Sequence, residues 1–427
     1  MKKYHSSCAD STICVAVFAI LVGCTDVNKK PILASGEYAV FAWNDLGMHC
    51  LNPEYTTAVI LPPYNTVWAE VVKRGDPPQV VTEGLTVSYK LKNNTSSADK
   101  REYGTFWDNV EALFGVALEV DTGLNLKTPD THNGLSGDMA VYDNHFEAVG
   151  MPVVPVDDDD KWNPYQVMVV TVKDKDGNVV AETEATVPTS DEITCSKCHG
   201  DSPFEDILSI HDEENETTLA SSTPILCASC HGSPALGQTD AGESGLFLSQ
   251  AIHGFHAEKD AKCYDCHPGK KTNCSRSLAH TNDEGNCTEC HGEMRTIAES
   301  IEESGRVPWA SEPKCSSCHE DVGQVDTGDT LYRNAMGHGG LACPTCHGSP
   351  HAQVPSREES DNYQSKQYQT ASLPIGSCRV CHDSPHGGGN DFGDKHTGSH
   401  PEEKTACNIC HTAAHDSKSD WPHQFTF

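Results

Sequence analysis

Eight copies of the string Cys-x-x-Cys-His constrain this 427-residue chain more than any other feature, beginning at Cys195, Cys227, Cys263, Cys287, Cys315, Cys343, Cys378 and Cys407. At two cysteines per copy they take up 16 of the 21 cysteines, and the histidine is present every time. Paired Cys-x-x-Cys strings also serve zinc ribbons, but a four-thiolate zinc site has no need of that histidine. The string fits c-type haem attachment instead, in which two thiols add across the porphyrin vinyl groups and the adjacent imidazole ligates iron from one face. The expected cofactors are eight haem c groups. Their anchors are Cys195, Cys198, Cys227, Cys230, Cys263, Cys266, Cys287, Cys290, Cys315, Cys318, Cys343, Cys346, Cys378, Cys381, Cys407 and Cys410, with His199, His231, His267, His291, His319, His347, His382 and His411 as first iron ligands.

The spacing of the copies, 32, 36, 24, 28, 28, 35 and 29 residues between starts, is too uneven for a regular solenoid. From Cys195 to Phe427 the chain offers few apolar runs long enough for a conventional core, while Gly, Pro, Ser and His are scattered throughout. Stacked porphyrins are therefore expected to form the core there, wrapped by loops and short helices with little regular secondary structure.

Residues 35–190 carry no such string and read as strands. Leu85, Val87, Tyr89 and Leu91 alternate with Thr86, Ser88, Lys90 and Lys92, the period-two pattern of a half-buried strand. Two further runs, from Gln166 to Lys173 and from Val179 to Val187, flank Asp176-Gly177, a strong hairpin signal. The expected fold class is an N-terminal all-β, sandwich-like domain followed by a multihaem cytochrome c region. The division is 1–23 signal peptide, 24–34 linker, 35–190 β-sandwich-like domain and 191–427 octahaem domain.

A haem ligated on one face either takes a second strong ligand, which closes it for electron transfer, or keeps an open position for substrate. Eleven further histidines lie in the motif-bearing region, more than eight irons require. The chosen second ligands are His253, His256, His280, His338, His351, His386, His396 and His415, with His211, His400 and His423 in reserve. In Cys343-Pro-Thr-Cys-His-Gly-Ser-Pro-His351 the last histidine is too close in sequence to pass around the ring held by His347, so it is expected to serve a neighbouring haem. Such a ligand set implies an electron carrier with no catalytic residue. All-histidine ligation keeps potentials lower than Met/His ligation.

The start of the chain reads as an export leader, with Lys2 and Lys3 ahead of an apolar run from Ile13 to Val22 that is too short to span a bilayer. It ends in Leu21-Val22-Gly23-Cys24, which resembles a bacterial lipobox and implies cleavage before Cys24 and a lipid on its sulfur. The expected location is lipid-anchored at the periplasmic or outer face of the outer membrane. A formal charge of −32 excludes the clustered basic surface that nucleic acid demands and favours basic or cationic partners.

Taken together, the eight motifs, the pairs "CHGSPH" and "CHDSPH" and the lipobox resemble the multihaem c-type cytochromes of metal-respiring bacteria. That resemblance implies delivery of electrons to extracellular or periplasmic acceptors such as metal oxides. It also implies redox-protein partners, among them other multihaem cytochromes and a membrane-side donor, and in some relatives a homo-oligomer or haem-wire filament. Octahaem enzymes resembling hydroxylamine oxidoreductase or the nitrite and tetrathionate reductases are the alternative. Several of those replace one motif histidine by lysine, and this chain has no Cys-x-x-Cys-Lys.

A few features stand apart. With Cys8 and Cys14 removed in the leader and Cys24 lipidated, only Cys50 and Cys274 are left over, a natural disulfide pair in an oxidising compartment. Met48, His49 and Cys50 are soft ligands in one stretch, with His132 and His145 as the histidines to complete a copper set. The run Asp157 to Asp160 reads as a solvated loop, and Asp174-Lys-Asp-Gly-Asn178 as a hairpin turn rather than a calcium loop.

Overall fold

The computed structural model describes residues 36–269, 271–280, 287–314 and 330–383. The leader, Cys24, Cys315, Cys318, His319, His386, His396, His400, Cys407, Cys410, His411, His415 and His423 lie outside the described residues.

The strands, in chain order, are β1 (Tyr38–Asn44), β2 (His49–Cys50), β3 (Ala58–Val59), β4 (Asn65–Lys73), β5 (Gln79–Val80), β6 (Leu85–Leu91), β7 (Ser136–Asp138), β8 (Ala140–Tyr142), β9 (His145–Met151), β10 (Tyr165–Asp174), β11 (Val179–Ser190) and β12 (Ile225–Leu226). One five-stranded sheet runs β1-β4-β9-β8 with β5 on β4, a second runs β2-β11-β10-β6-β7, and β3 pairs with β12. The period-two run forms β6 and buries Val87, Tyr89 and Leu91. β10 and β11 form the hairpin, whose turn is held by Asp174: its Oδ1 accepts from the backbone N–H of Asp176 and of Asn178, both at 2.9 Å. Gly177 supplies the positive φ, 83°, that the turn requires.

Side chains from both large sheets share one apolar core. Val40, Ala42, Val67, Ala69, Val71 and Phe146 come from the first sheet, and Val87, Leu91, Met168, Val170, Ala185 and Val187 from the second.

Nine helices stand among the described residues: α1 (Thr105–Phe114), α2 (Ser196–His199), α3 (Pro203–Asn215), α4 (Leu248–His256), α5 (Cys263–Cys266), α6 (Cys287–His291), α7 (Met294–Ser304), α8 (Cys343–His347) and α9 (Tyr363–Gln369). None of the described helices is long and apolar enough to cross a membrane.

The fold class expected from sequence is corrected on two counts. First, the segment read as all-β contains α1, which buries Phe106, Val110 and Leu113 against Tyr55, Val59 and Leu124. Its apolar residues sit at i, i+4 and i+7 but are interleaved with aromatic and polar ones, so no strong stripe shows in the sequence. Second, the later region is not a sleeve of loops whose core is porphyrin. It contributes ordinary side chains to protein cores: Ala342, Tyr368 and Val380 pack with Ala39, Phe41, Trp43 and Val72, while Phe204 and Leu208 of α3 pack with Ala58. The result is a mixed α/β structure of organised sheets and helices.

The later region also protects a sheet edge. β1 lies at the end of its sheet, where unpaired backbone groups invite association. Tyr368 Oη of α9 donates to the carbonyl of Val40 at 2.8 Å and accepts from its N–H at 3.0 Å. Gln364 Oε1 accepts from the N–H of Ala42 at 3.0 Å, and Ser349 Oγ accepts from the N–H of Asn44 at 3.1 Å. Alternate residues of the edge are thereby satisfied by side chains. On the other side, Thr183 Oγ1 of β11 donates to Gln367 Oε1 at 2.7 Å, so α9 links the margins of both sheets.

Candidate functional site

Each described motif folds locally as one helical turn. The N–H of the histidine donates to the carbonyl of the first cysteine, four residues back, at 3.0 Å in His199, 3.1 Å in His231 and 2.8 Å in His267 and His382. Cysteines three apart on such a turn share a face, and the histidine follows at its C-terminal end.

The histidines then fall into pairs. The rings of His199 and His256 have centroids 6.4 Å apart, His211 and His231 6.3 Å, His253 and His267 6.1 Å, His291 and His351 6.0 Å, and His338 and His382 6.2 Å. Every pair joins one motif histidine to one outside the motifs. The last turn of one helix feeds two sites, because His253 and His256 of α4 face His267 and His199 respectively.

The outward nitrogens are held. His253 Nδ1 donates to the carbonyl of Ser249 at 2.7 Å, His256 Nδ1 to that of Ile252 at 2.8 Å and His351 Nδ1 to that of Leu46 at 3.2 Å. His211 Nδ1 meets Thr217 Oγ1 at 3.0 Å and His231 Nδ1 meets Ser244 Oγ at 2.9 Å. His199 Nδ1 is 2.8 Å from Asp206 Oδ2, and His382 Nδ1 is 3.1 Å from Asp76 Oδ1. Fixing Nδ1 fixes the tautomer and leaves the lone pair on Nε2, the arrangement found behind metal-bound imidazoles.

Burial, with neighbouring histidines adding to it, holds His267 down to about 4. His351 is likewise held at about 4, chiefly by burial, and burial also lowers His253 and His291. These rings are neutral at pH 7, as ligands must be.

The loop before β2 closes on one site. Gly47 has a φ of 82°, and a Cβ there would sit 1.6 Å from the carbonyl oxygen of Pro350, so only glycine lets this loop reach the segment that carries His351. The carbonyl of His351 accepts from the N–H groups of Arg276 and Ser277 at 2.6 and 3.1 Å.

Adjacent motifs touch: Thr194 Oγ1 donates to the carbonyl of Asp265 at 2.6 Å, and Lys197 Nζ of the first motif to Asp265 Oδ1 of the third at 2.5 Å. After burial, the Cys266 thiol is the main influence raising Cys195, to about 11, and Cys195 in turn adds to the rise of Cys227. Cys263 is raised by burial and then by Cys287.

Several sequence readings need adjustment. His211, placed in reserve, lies beside the motif histidine His231, ring centroids 6.3 Å apart. His253, His256, His338 and His351 stand opposite motif histidines, and the ring beside His351 is that of His291, in a motif other than its own. His280 sits with Ser277 Oγ 3.4 Å from its Nδ1, and His347 closes α8. Spacing in the sequence held no signal for His211, because its partner is set by how α3 folds back.

Cys50 and Cys274 stand as unbridged thiols, with burial and then Cys274 pushing Cys50 upward. His49 Nε2 is taken by Asp45 Oδ1 at 2.9 Å, and His145 stacks on Trp68 at 4.5 Å. Asp157 accepts from Asn163 and Gln166, and Asp158 from Thr95 and Lys100, so half of the four-aspartate run is tied into the structure.

Comparisons with protein-family models, with curated proteins and with solved structures return no match. Among the described residues, no group of three or more His, Cys, Asp or Glu side chains gathers as a metal site. The resemblance to multihaem cytochromes, the electron-transfer chain of eight haems and the cofactor set of eight haem c groups therefore do not stand in that form. The fold is mixed α/β with side-chain cores, and the geometry presents sites of two imidazoles each, five of them among the described residues.

Proposed function

We propose that this chain is an electron carrier, not an enzyme, and that its working sites are the paired imidazoles flanked by the thiols of the Cys-x-x-Cys-His turns. The observation that carries this reading is the recurrence of one spacing, 6.0 to 6.4 Å between ring centroids, in five pairs. Metal–imidazole bonds are about 2 Å long, so each pair of rings at this spacing would hold one metal ion between them. A redox-active transition metal held between such a pair would accept and release one electron.

The chain's own residues perform the rest. An imidazole on either side of the metal would leave little room for substrate, which favours electron passage over substrate binding. The Nδ1 partners hold the rings in place whichever charge the metal carries. Helix α4 ties two sites to one rigid element, and contact between neighbouring motifs places one site beside the next.

Under the same reading, the leader and the Leu21-Val22-Gly23-Cys24 sequence support an exported protein anchored by lipid at the periplasmic or outer face of the outer membrane. The charge of −32 supports redox-protein partners with basic docking faces.

The test is a visible spectrum of the full chain purified with its bound metal, recorded oxidised, reduced and reduced under carbon monoxide. A reversible change on reduction with no carbon monoxide shift is expected. A colourless protein, or one that binds carbon monoxide in proportion to its sites, overturns the proposal.

A further inference from the structure

We infer that Asp76 and Asp206 are positioning residues that set two of the sites apart, lowering the potential of the His338–His382 and His199–His256 centres relative to the others; this rests on the reading just given. Five of the Nδ1 partners described above are neutral: the carbonyls of Ser249, Ile252 and Leu46 and the hydroxyls of Thr217 and Ser244. Two are carboxylates, Asp76 on His382 at 3.1 Å and Asp206 on His199 at 2.8 Å. A carboxylate that accepts from Nδ1–H pushes charge into the ring and makes Nε2 a stronger donor, which stabilises the oxidised metal over the reduced one.

The two are placed by different means. Asp76 lies in the turn between β4 and β5, and that turn is docked onto the motif it serves: the N–H of Gly75 donates to the carbonyl of Cys381 at 3.2 Å, and Arg74 Nη2 to that of Arg379 at 2.7 Å. The early sheet thus reaches into a site built from the later region. Asp206 stands in the first turn of α3, directly after the motif that contains His199. Its side chain is 48% exposed against 23% for Asp76, so solvent screens it more and its influence is the smaller of the two. No bond is made or broken; one electron enters or leaves the centre while the shared proton stays on Nδ1.

The test is a redox titration of the loaded full chain, followed by visible absorbance at one fixed pH, for the unaltered protein, Asp76→Asn and Asp206→Asn. Asparagine keeps the acceptor oxygen and removes the charge. One component of the titration is expected to move to more positive potential in each variant, a different component in each, and further for Asp76→Asn. Asp76→Glu, which keeps the charge, is expected to restore most of the shift and also serves as the readout if Asp76→Asn does not fold, since displacement of the carboxylate then gives a smaller shift of the same component. Titrations that superimpose on the unaltered protein overturn the inference and leave the electron-carrier reading intact. A protein with no redox-active absorbance overturns both.

Discussion

Arg276 and Asp361 form a buried, two-pronged ion pair, with Nε 2.8 Å from Oδ2 and Nη2 3.2 Å from Oδ1 and with 1% and 5% of the two side chains exposed. Arg276 Nη1 also donates to the carbonyl of Gly47 at 2.7 Å, and the ring of Tyr165 lies beneath the guanidinium at 5.3 Å. One side chain therefore fastens the early loop, the hairpin strand β10 and the segment before α9 around the His291–His351 site. Removing one partner strands a buried charge, which costs about 3–5 kcal/mol. Asp361→Ala is expected to lower the unfolding free energy by that amount, seen as a lower denaturant midpoint, whereas replacing both residues with apolar ones of similar volume is expected to recover much of the loss. A midpoint unchanged in Asp361→Ala contradicts this role.

Glu70 of β4 is fully buried and accepts hydrogen bonds from Thr345 Oγ1 and from the N–H of Ala342, beside a Cys-x-x-Cys-His turn. Burial raises its carboxyl to about 7, with those two bonds pulling the other way. The folded state thus holds the proton more tightly than the unfolded state. Its stabilising contribution is complete below the unfolded value near 4.5 and is lost as pH rises through about 7. Across that window the expected loss is roughly 3 kcal/mol. Urea midpoints of Glu70→Gln against the unaltered chain are expected to diverge in favour of glutamine from pH 5 to pH 8; parallel curves contradict the assignment.

Tyr368 tests the covered edge. Its hydroxyl makes both hydrogen bonds to Val40. In Tyr368→Phe the ring still packs on Phe41 while a buried N–H and C=O lose their partner, at a cost of about 1–3 kcal/mol. Hydrogen exchange at Val40 is expected to quicken more than at Val71, across the strand pair, and equal rates at both positions count against the edge-capping role.

His256 and His253 separate two sites on one helix. His256→Ala is expected to open the His199 centre to carbon monoxide while the His267 centre stays closed, and His253→Ala the reverse. A carbon monoxide difference spectrum with one added site per variant bears this out; no added site in either argues that these rings do not face metal.

Much of this arrangement is written locally in the chain. The hairpin at Asp176-Gly177 and the strand at Leu85 were legible because turn chemistry and period-two burial are properties of neighbouring residues. The Cys-x-x-Cys-His strings were equally legible as a repeated pattern, but their folding into single helical turns was not read from them. What escaped was set by distant residues. Helix α1 is stabilised by an apolar pocket built from Tyr55, Val59 and Leu124, and the pairing of His211 with His231 depends on the fold of α3. The protein core of the later region was missed because Tyr368, Val380 and Ala342 are single apolar residues, and only β1 and β4 gather them.

The most direct measurement is the metal content of the purified full chain together with its electron paramagnetic resonance spectrum at low temperature. Five or more transition-metal atoms per chain, in low-spin form with two imidazole ligands, are expected from the pairs described here. A metal-free chain, or predominantly high-spin centres, contradicts the claim that each pair of rings encloses one metal.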